Sequence, residues 1–251
     1  MISLEGQHIF VAGGSRGIGR ASALMAARAG ASVGVNYHRN RAAAEEVVAQ
    51  IEEMGRRAVA VQADISEPEE ARDALQGAVE ALGPLRGLVV SSGIFEAAPL
   101  DTMSVDFWER TLNVNLRGTF LATQAAAPLL RAAGGGSIVI IASTAGQRGS
   151  AVYSAYATSK GAQLLWMRSM AQELAGDQIR VNCIAPAWTE TDLSRDAMTE
   201  FGREEIIAAV PLGRIGQPED CAGAVCFLLS DLAAFITGST ITVDGGADMR
   251  G

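Results

Sequence analysis

The eleven residues "AVYSAYATSKG" (151–161) hold two tyrosines, three hydroxyl side chains and one lysine. If the stretch is helical, Tyr156 and Lys160, four apart, share a face with their Cβ atoms roughly 5–6 Å from each other. Tyr153, seven residues before Lys160, lies about 10 Å away along the axis. A phenol ordinarily titrates at about 10, and a cation within about 4–6 Å lowers that value. The phenol then becomes a better proton donor near neutral pH. Tyr156 can feel Lys160 in this way, and Tyr153 much less. A polar helix start that happens to hold a lysine would look the same, so the elements around the pair must decide.

At 251 residues the chain is long enough for one large α/β domain with a well-buried core. Its 49% hydrophobic and 19% charged residues describe a packed globular protein. The net charge of −8 and the lack of a basic run count against nucleic acid as a partner. The opening "MISLEGQHIFVAGG" has neither a basic start nor a long apolar run, so no secretory signal is expected. Runs such as "IVIIA" (138–142) and "AVCFLL" (224–229) are too short to cross a membrane. Cys183, Cys221 and Cys226 lack C-x-x-C spacing, so neither a disulfide framework nor a metal site is indicated. His8 and His38, the only histidines, support no histidine-based triad. The expectation is a reducing, cytoplasmic setting.

Seven short apolar or β-branched runs recur, at 8–12, 32–36, 58–62, 87–91, 137–141, 179–184 and 240–243. Alanine-rich amphipathic stretches separate them, at roughly 17–30, 41–54, 67–82, 104–132, 154–175 and 217–230. Strand alternating with helix predicts a doubly wound, parallel α/β sheet with helices on both faces. Near-continuous apolar strands fit a sheet buried on both sides. With no repeat or linker, residues 1–251 are read as a single Rossmann domain.

"VAGGSRGIG" (11–19) lies between the first strand and the first helix. Gly13, Gly17 and Gly19 allow a tight turn that aims helix amides at a pyrophosphate. Ser91–Gly93, Ser143 and Pro186 each follow a predicted strand and should rim the same crevice. An acidic residue after strand two would accept the adenosine ribose of NAD. This chain reads "VNYHRNR" (35–41) there, with Arg16 in the glycine turn. Arg16 and Arg39 form a plausible fork for the 2′-phosphate of NADP, so NADP(H) is favoured over NAD(H). The other reading makes Arg39 and Arg41 solvated helix-start residues.

The chain resembles the short-chain dehydrogenase/reductase superfamily along its whole length. "GGSRGIG" (13–19), "ADI" (63–65), "NVNLRG" (113–118), "IIAS" (140–143), "YATSK" (156–160), "VNCIAPAWTET" (181–191), "RIGQPED" (214–220) and "ITVDGG" (241–246) carry the likeness. It is most similar to the 3-oxoacyl-carrier-protein reductase group and related carbonyl reductases. The resemblance implies a tetrad of Asn115, Ser143, Tyr156 and Lys160, with reduction of a carbonyl to a secondary alcohol. Alternatives are an alcohol, polyol or sugar dehydrogenase running in oxidation and, remotely, a non-catalytic dinucleotide sensor. Tyr156 would give the proton, Ser143 would hold the carbonyl oxygen, and Lys160 would depress the tyrosine pKa and bind the nicotinamide ribose. Asn115 would keep a helix kink and a water that refill the proton. Tyr153 then reads as a pocket wall. The resemblance also implies cofactor contacts at Gly13, Ser15, Arg16, Gly17, Ile18, Gly19, Asn36, Tyr37, His38, Arg39, Asp64, Ile65, Val90, Ser92, Gly93, Pro186, Thr189 and Thr191, besides Tyr156 and Lys160. A homotetramer is implied as well.

Three departures stand out. Ala12 replaces a threonine, "VSSG" (90–93) replaces Asn-Asn-Ala-Gly, and Pro186-Ala187 replaces Pro-Gly. Losing both polar partners of one buried pair can be nearly neutral, so altered packing under the cofactor is expected. Ala187 would be strained if that position needs a positive φ. Gly134 and Asp177 stand where the carrier-protein reductases present basic residues, and an aspartate there would repel an acidic partner. Residues 188–211 read as a lid, with Trp188, Met198 and Phe201 as possible pocket walls.

Overall fold

A computed structural model describes residues 2–248. The strands are β1 (His8–Ala12), β2 (Ser32–Tyr37), β3 (Ala58–Gln62), β4 (Leu85–Val90), β5 (Gly136–Ile141), β6 (Ile179–Pro186) and β7 (Thr240–Val243). They form one all-parallel sheet in the order β3-β2-β1-β4-β5-β6-β7. Order reverses between β1 and β4, which makes the crevice beyond their carboxyl ends the natural ligand site.

The period-two alternation of each strand feeds two cores. Ile9 and Val11 point to one face, where they meet α1 (Gly17–Arg28), α2 (Arg41–Glu53) and α10 (Pro218–Leu229) through Leu24, Val47 and Val225. Phe10 and Ala12 point to the other. There they meet α3 (Pro68–Leu82), α5 (Gly118–Ala132) and α7 (Ser154–Glu173) through Leu75, Leu130 and Met167. Helix starts follow local chemistry: Asn40 accepts from Ala43 N at 3.1 Å ahead of α2, and Asp220 accepts from Gln217 N at 2.7 Å at the head of α10. These bonds satisfy amides that a helix start otherwise leaves orphaned.

The predicted helix over 104–132 is broken. α4 (Val105–Leu112) passes through a π-helical turn, Asn113–Arg117, into α5. Such turns re-aim a helix without ending it. The segment 188–211 contains two short helices, α8 (Arg195–Phe201) and α9 (Arg203–Ala208). Among the described residues no helix is long and apolar enough to cross a membrane, and no group of three or more metal-ligating side chains occurs.

Two departures resolve in the sheet. Ala12 pairs in register with Val90, and both are buried in one apolar cluster, so no polar partner is stranded. Ala187 lies outside the left-handed region, where the only non-glycine residues described are Val152 and Gln178. Its amide donates to Val243 O at 3.1 Å. The expected strain at Ala187 is absent.

Candidate active site

A cavity of about 840 Å³ opens at the reversal of strand order, lined from the glycine turn through the ends of β4 and β5 to the start of α8. Its floor is tight. Gly13 has φ +74, and a Cβ there would lie 2.8 Å from Ser92 N, so the turn and the end of β4 can touch only because Gly13 has no side chain. Ser92 Oγ lines this floor and is buried with no hydrogen-bond partner. A buried hydroxyl left open in this way suits a ligand oxygen.

Ser143, Tyr156 and Lys160 all line the cavity. β5 delivers Ser143 two residues past its end, just before the short α6 (Ala145–Arg148), and α7 delivers Tyr156 and Lys160 one turn apart. The Ser143 side chain neighbours the Tyr156 phenol and favours its ionised form, and Ser143 Oγ accepts from Ala145 N at 3.1 Å. Lys160, only 5% exposed, donates from Nζ to Ile141 O at 2.8 Å and lies 5.7 Å from the Tyr156 ring centre. Burial pushes the lysine down to about 8, opposed by the neighbouring Cys183. Burial likewise pushes Tyr156 up to about 12, opposed by the Ser143 side chain. The expected depression of the tyrosine by Lys160 is therefore not what these side chains produce by themselves: the ammonium is turned onto Ile141, and desolvation of the phenol prevails.

Asn115 does not line the cavity; it is fully buried in the π-helical turn. Its Oδ1 accepts from Ile94 N at 2.8 Å, and its Nδ2 donates to Ile94 O and to Ser159 Oγ, both at 3.0 Å. Ser159 Oγ in turn donates to Tyr156 O at 2.7 Å. Gly93 separates Asn115 from Lys160: a Cβ there would lie 3.1 Å from Asn115 Oδ1 and 3.7 Å from Lys160 Nζ. Asn115 thus ties the loop after β4 to α7 from behind.

Of the expected dinucleotide contacts, Gly19 and Val90 do not line the cavity, and the others do. Gly19 packs against the Gly13 carbonyl, and Val90 belongs to the core beside Ala12. Asn36 lines the cavity, yet its amide is spent on the frame. Nδ2 donates to Val61 O at 3.2 Å and Ala63 O at 3.1 Å, while Oδ1 accepts from Gly13 N at 3.1 Å. Asp64 accepts from Ser66 N at 2.9 Å and Ser66 Oγ at 2.6 Å. Burial works against its ionised form, but these bonds and the nearby His38 and Arg39 hold the carboxyl below its usual range. Thr189 Oγ1 donates to Ala187 O at 3.1 Å, and Thr191 Oγ1 meets Ser194 Oγ at 2.9 Å.

Aromatic rings surround the Tyr156 side; Trp188 lines the cavity as expected, whereas Tyr153 and Phe201, also expected as walls, pack outside its lining. Phe95 stacks on Tyr153 with centres 4.3 Å apart and planes at 14°. It meets Tyr156 edge-on at 4.7 Å and Trp188 at 6.2 Å. Phe201 adds a fifth ring, 5.5 Å from Trp188 and 6.1 Å from Tyr153. Sequence reasoning missed Phe95; its place five residues after β4 was the available signal. Met198, expected as a wall, is instead buried under α8 and α9 with Ile206 and Ile215.

The chain is similar to known proteins along nearly its whole length. Residues 12–248 match the family described as enoyl-(acyl carrier protein) reductase. The chain is 40% identical to the L-rhamnose 1-dehydrogenase (NAD(P)(+)) of Sphingomonas sp. (strain SKA58), covering 97% of this chain and 96% of that one. It is 36% identical to the 3-oxoacyl-[acyl-carrier-protein] reductase of Synechocystis sp., covering 99% and 100%. Among solved structures, it superposes with a TM-score of 0.95 and 34% identity on a 7α-hydroxysteroid dehydrogenase complexed with NADH and 7-oxo glycochenodeoxycholic acid, covering 99% and 97%. A dehydrogenase/reductase from Sinorhizobium meliloti 1021 gives 0.91 at 38% identity, covering 98% and 97%. The chain belongs to the short-chain dehydrogenase/reductase superfamily of oxidoreductases, which bind a nicotinamide dinucleotide, and is close to the 3-oxoacyl-carrier-protein reductase group.

Proposed function

We propose that this protein is an NADP(H)-dependent reductase that converts a ketone-type carbonyl to a secondary alcohol. The observation that carries the reading is the grouping of Ser143, Tyr156 and the buried Lys160 on one cavity wall. Ser143 Oγ holds the substrate oxygen, and the Tyr156 hydroxyl donates the proton to it. A nicotinamide dinucleotide, when bound, would supply hydride chemistry at this site. Lys160, released from Ile141, bonds the nicotinamide ribose and offsets the charge left on the phenolate. Asn115 keeps the kink behind the site and supports the water that returns the proton. The glycine turn and Ser92 would hold the dinucleotide, and Arg16 and Arg39 would grip its 2′-phosphate. Residues 188–211 close over the substrate as a lid.

The proposed setting is cytoplasmic and the assembly a homotetramer, with no nucleic-acid or membrane partner. An acyl carrier protein is a weak candidate partner. Asp177 stands where a cation would serve, and it pairs with Arg131 at 2.5 Å, which offsets that arginine's charge. A second reading, oxidation of a sugar lactol, is favoured by the L-rhamnose dehydrogenase relative.

The test is oxidation of NADPH and NADH against ketones, 3-oxoacyl thioesters and sugars, with Tyr156→Phe and Tyr153→Phe alongside. Tyr156→Phe should abolish turnover and leave NADPH binding intact, while Tyr153→Phe should be much milder. Equal losses from both, or an active Tyr156→Phe, would sink the proton-donor role.

A further inference from the structure

Charge is distributed unevenly along the cavity. At the glycine-turn end, Arg16 and Arg39 have no ion-pair partner among the described residues. At the other end the exposed rim charges Glu96, Arg110, Arg148 and Asp192 are each ion-paired. Arg110 grips Glu96 through both oxygens, one contact at 3.2 Å. Arg148 faces Asp248 at 3.6 Å, and Asp192 holds Arg195 at 2.6 Å. Lys160 is turned onto a backbone carbonyl.

Between these pairs Phe95, Tyr156 and Trp188 line the cavity, with Tyr153 and Phe201 packed behind them. The backbone is bent to place one of them. Val152, just before Tyr153, has φ 56, a conformation that a β-branched residue rarely adopts. It is held by the bond from Ala98 N to Val152 O at 2.7 Å. That bond joins the loop after β4, which carries Phe95, to the loop that carries Tyr153. Conformations of this kind persist only where the surroundings over-determine them.

We propose that the substrate end selects an uncharged, ring-shaped carbonyl compound or its alcohol form; this rests on the oxidoreductase reading above. A substrate anion or cation here would have to break an existing ion pair or lie desolvated against aromatic faces. Flat, rigid walls suit a rigid ring, whose binding freezes few rotors, better than a flexible acyl chain. A carbocyclic ketone and a pyranose present the same chemistry: a neutral ring with one oxidisable or reducible carbon.

The test compares kcat/KM for four probes: cyclohexanone, its ring-carboxylated analogue and an acetoacetyl thioester with NADPH, and an aldopyranose with NADP⁺. Cyclohexanone or the aldopyranose should exceed both the carboxylated ring and the thioester by about tenfold or more, and whichever is turned over separates carbocycle from sugar. Glu96→Gln frees Arg110 and should raise kcat/KM for the carboxylated ring about tenfold. Quenching of fluorescence by cyclohexanone, lost in Trp188→Phe, reports ring binding without turnover. A thioester or carboxylated ring turned over as well as the neutral ring overturns the inference and leaves the reductase reading standing. No gain in Glu96→Gln overturns the charge selection. Ring binding without turnover of any probe sustains the inference and removes the reductase reading. Neither binding nor turnover removes both.

Discussion

Gln163 donates from Nε2 to the main-chain carbonyl of Asn115 at 2.8 Å, joining α7 to the π-helical turn behind the cavity. The same amide reaches Thr119 Oγ1 at 2.7 Å, and Thr119 Oγ1 donates to that carbonyl at 2.7 Å. Gln163 lies one turn past Lys160, so it fixes Lys160 and Asn115 relative to each other. Its Oε1 is buried without a partner, a cost that a side chain kept only for packing would not carry.

Gln163 is therefore expected to be a positioning residue. Gln163→Met, close in volume, should lower kcat about tenfold, the effect of roughly one buried hydrogen bond, with KM and NADPH affinity unchanged. Steady-state kinetics across pH on folded protein checks this, because a packing role alone would leave the pH profile of kcat in place. Wild-type kcat in Gln163→Met would refute the positioning role.

The unpaired arginines make a cofactor prediction. Arg16→Ala and Arg39→Ala should each weaken NADPH by roughly tenfold, as loss of one charge-assisted hydrogen bond implies. NADH affinity should change by less than about threefold. Matched fluorescence titrations decide it, and an unaltered protein that prefers NADH would show that these arginines are only solvated.

Stability should fall at high pH. Burial raises Tyr156, Cys183, Cys221 and Cys226 to about 12 from ordinary values of 10.0 and 9.0. Between pH 9 and 12 the folded state keeps protons that the unfolded chain has lost, so this stability is present below that window and is lost through it. Lys160 has the opposite sign. Its folded value of about 8 lies below its ordinary 10.5, so folding becomes easier as pH rises from 8 to 10.5. Each group contributes at most about 1.4 kcal/mol per pH unit. Thermal melts from pH 7 to 11 should show Tm dropping above about pH 10. Lys160→Met should raise Tm more at pH 7 than at pH 10.5, and an equal rise at both would contradict a buried ammonium.

Assembly is open to direct measurement. Leu165 on α7 is 64% exposed, and Phe120 on α5 sits beside Trp166 at 5.5 Å. Leu232 and Phe235 are exposed in the segment between α10 and the edge strand β7, which among the described residues pairs only with β6. Apolar patches and an open edge of this kind invite a second copy. Light scattering after size exclusion should give four times the 26.1 kDa chain mass, and Leu165→Glu should reduce it to half. A monomer mass would reject the homotetramer, and a dimer would leave one interface.

Local chemistry in the sequence was enough to place all seven strands, the glycine turn, and the order that brings Ser143, Tyr156 and Lys160 to one crevice. Those signals need only neighbours in the chain: alternation along a strand, glycine at a tight turn, residues four apart on a helix. That Ala12 and the end of β4 belong to adjacent strands came from the family resemblance; the register that sets Ala12 against Val90 came from the fold. Tertiary structure alone decided the rest. The Phe95–Tyr153 stack, the Glu96–Arg110 pair and the Gln163–Asn115 bond each join segments whose approach depends on how separate loops and helices cross. The left-handed Val152 is imposed from outside its own segment by Ala98. The direction of the Tyr156 pKa depends on how much water the whole fold removes from the phenol. Four-residue spacing put a cation within reach of Tyr156, but only the packed fold turned that cation onto Ile141 and let desolvation prevail.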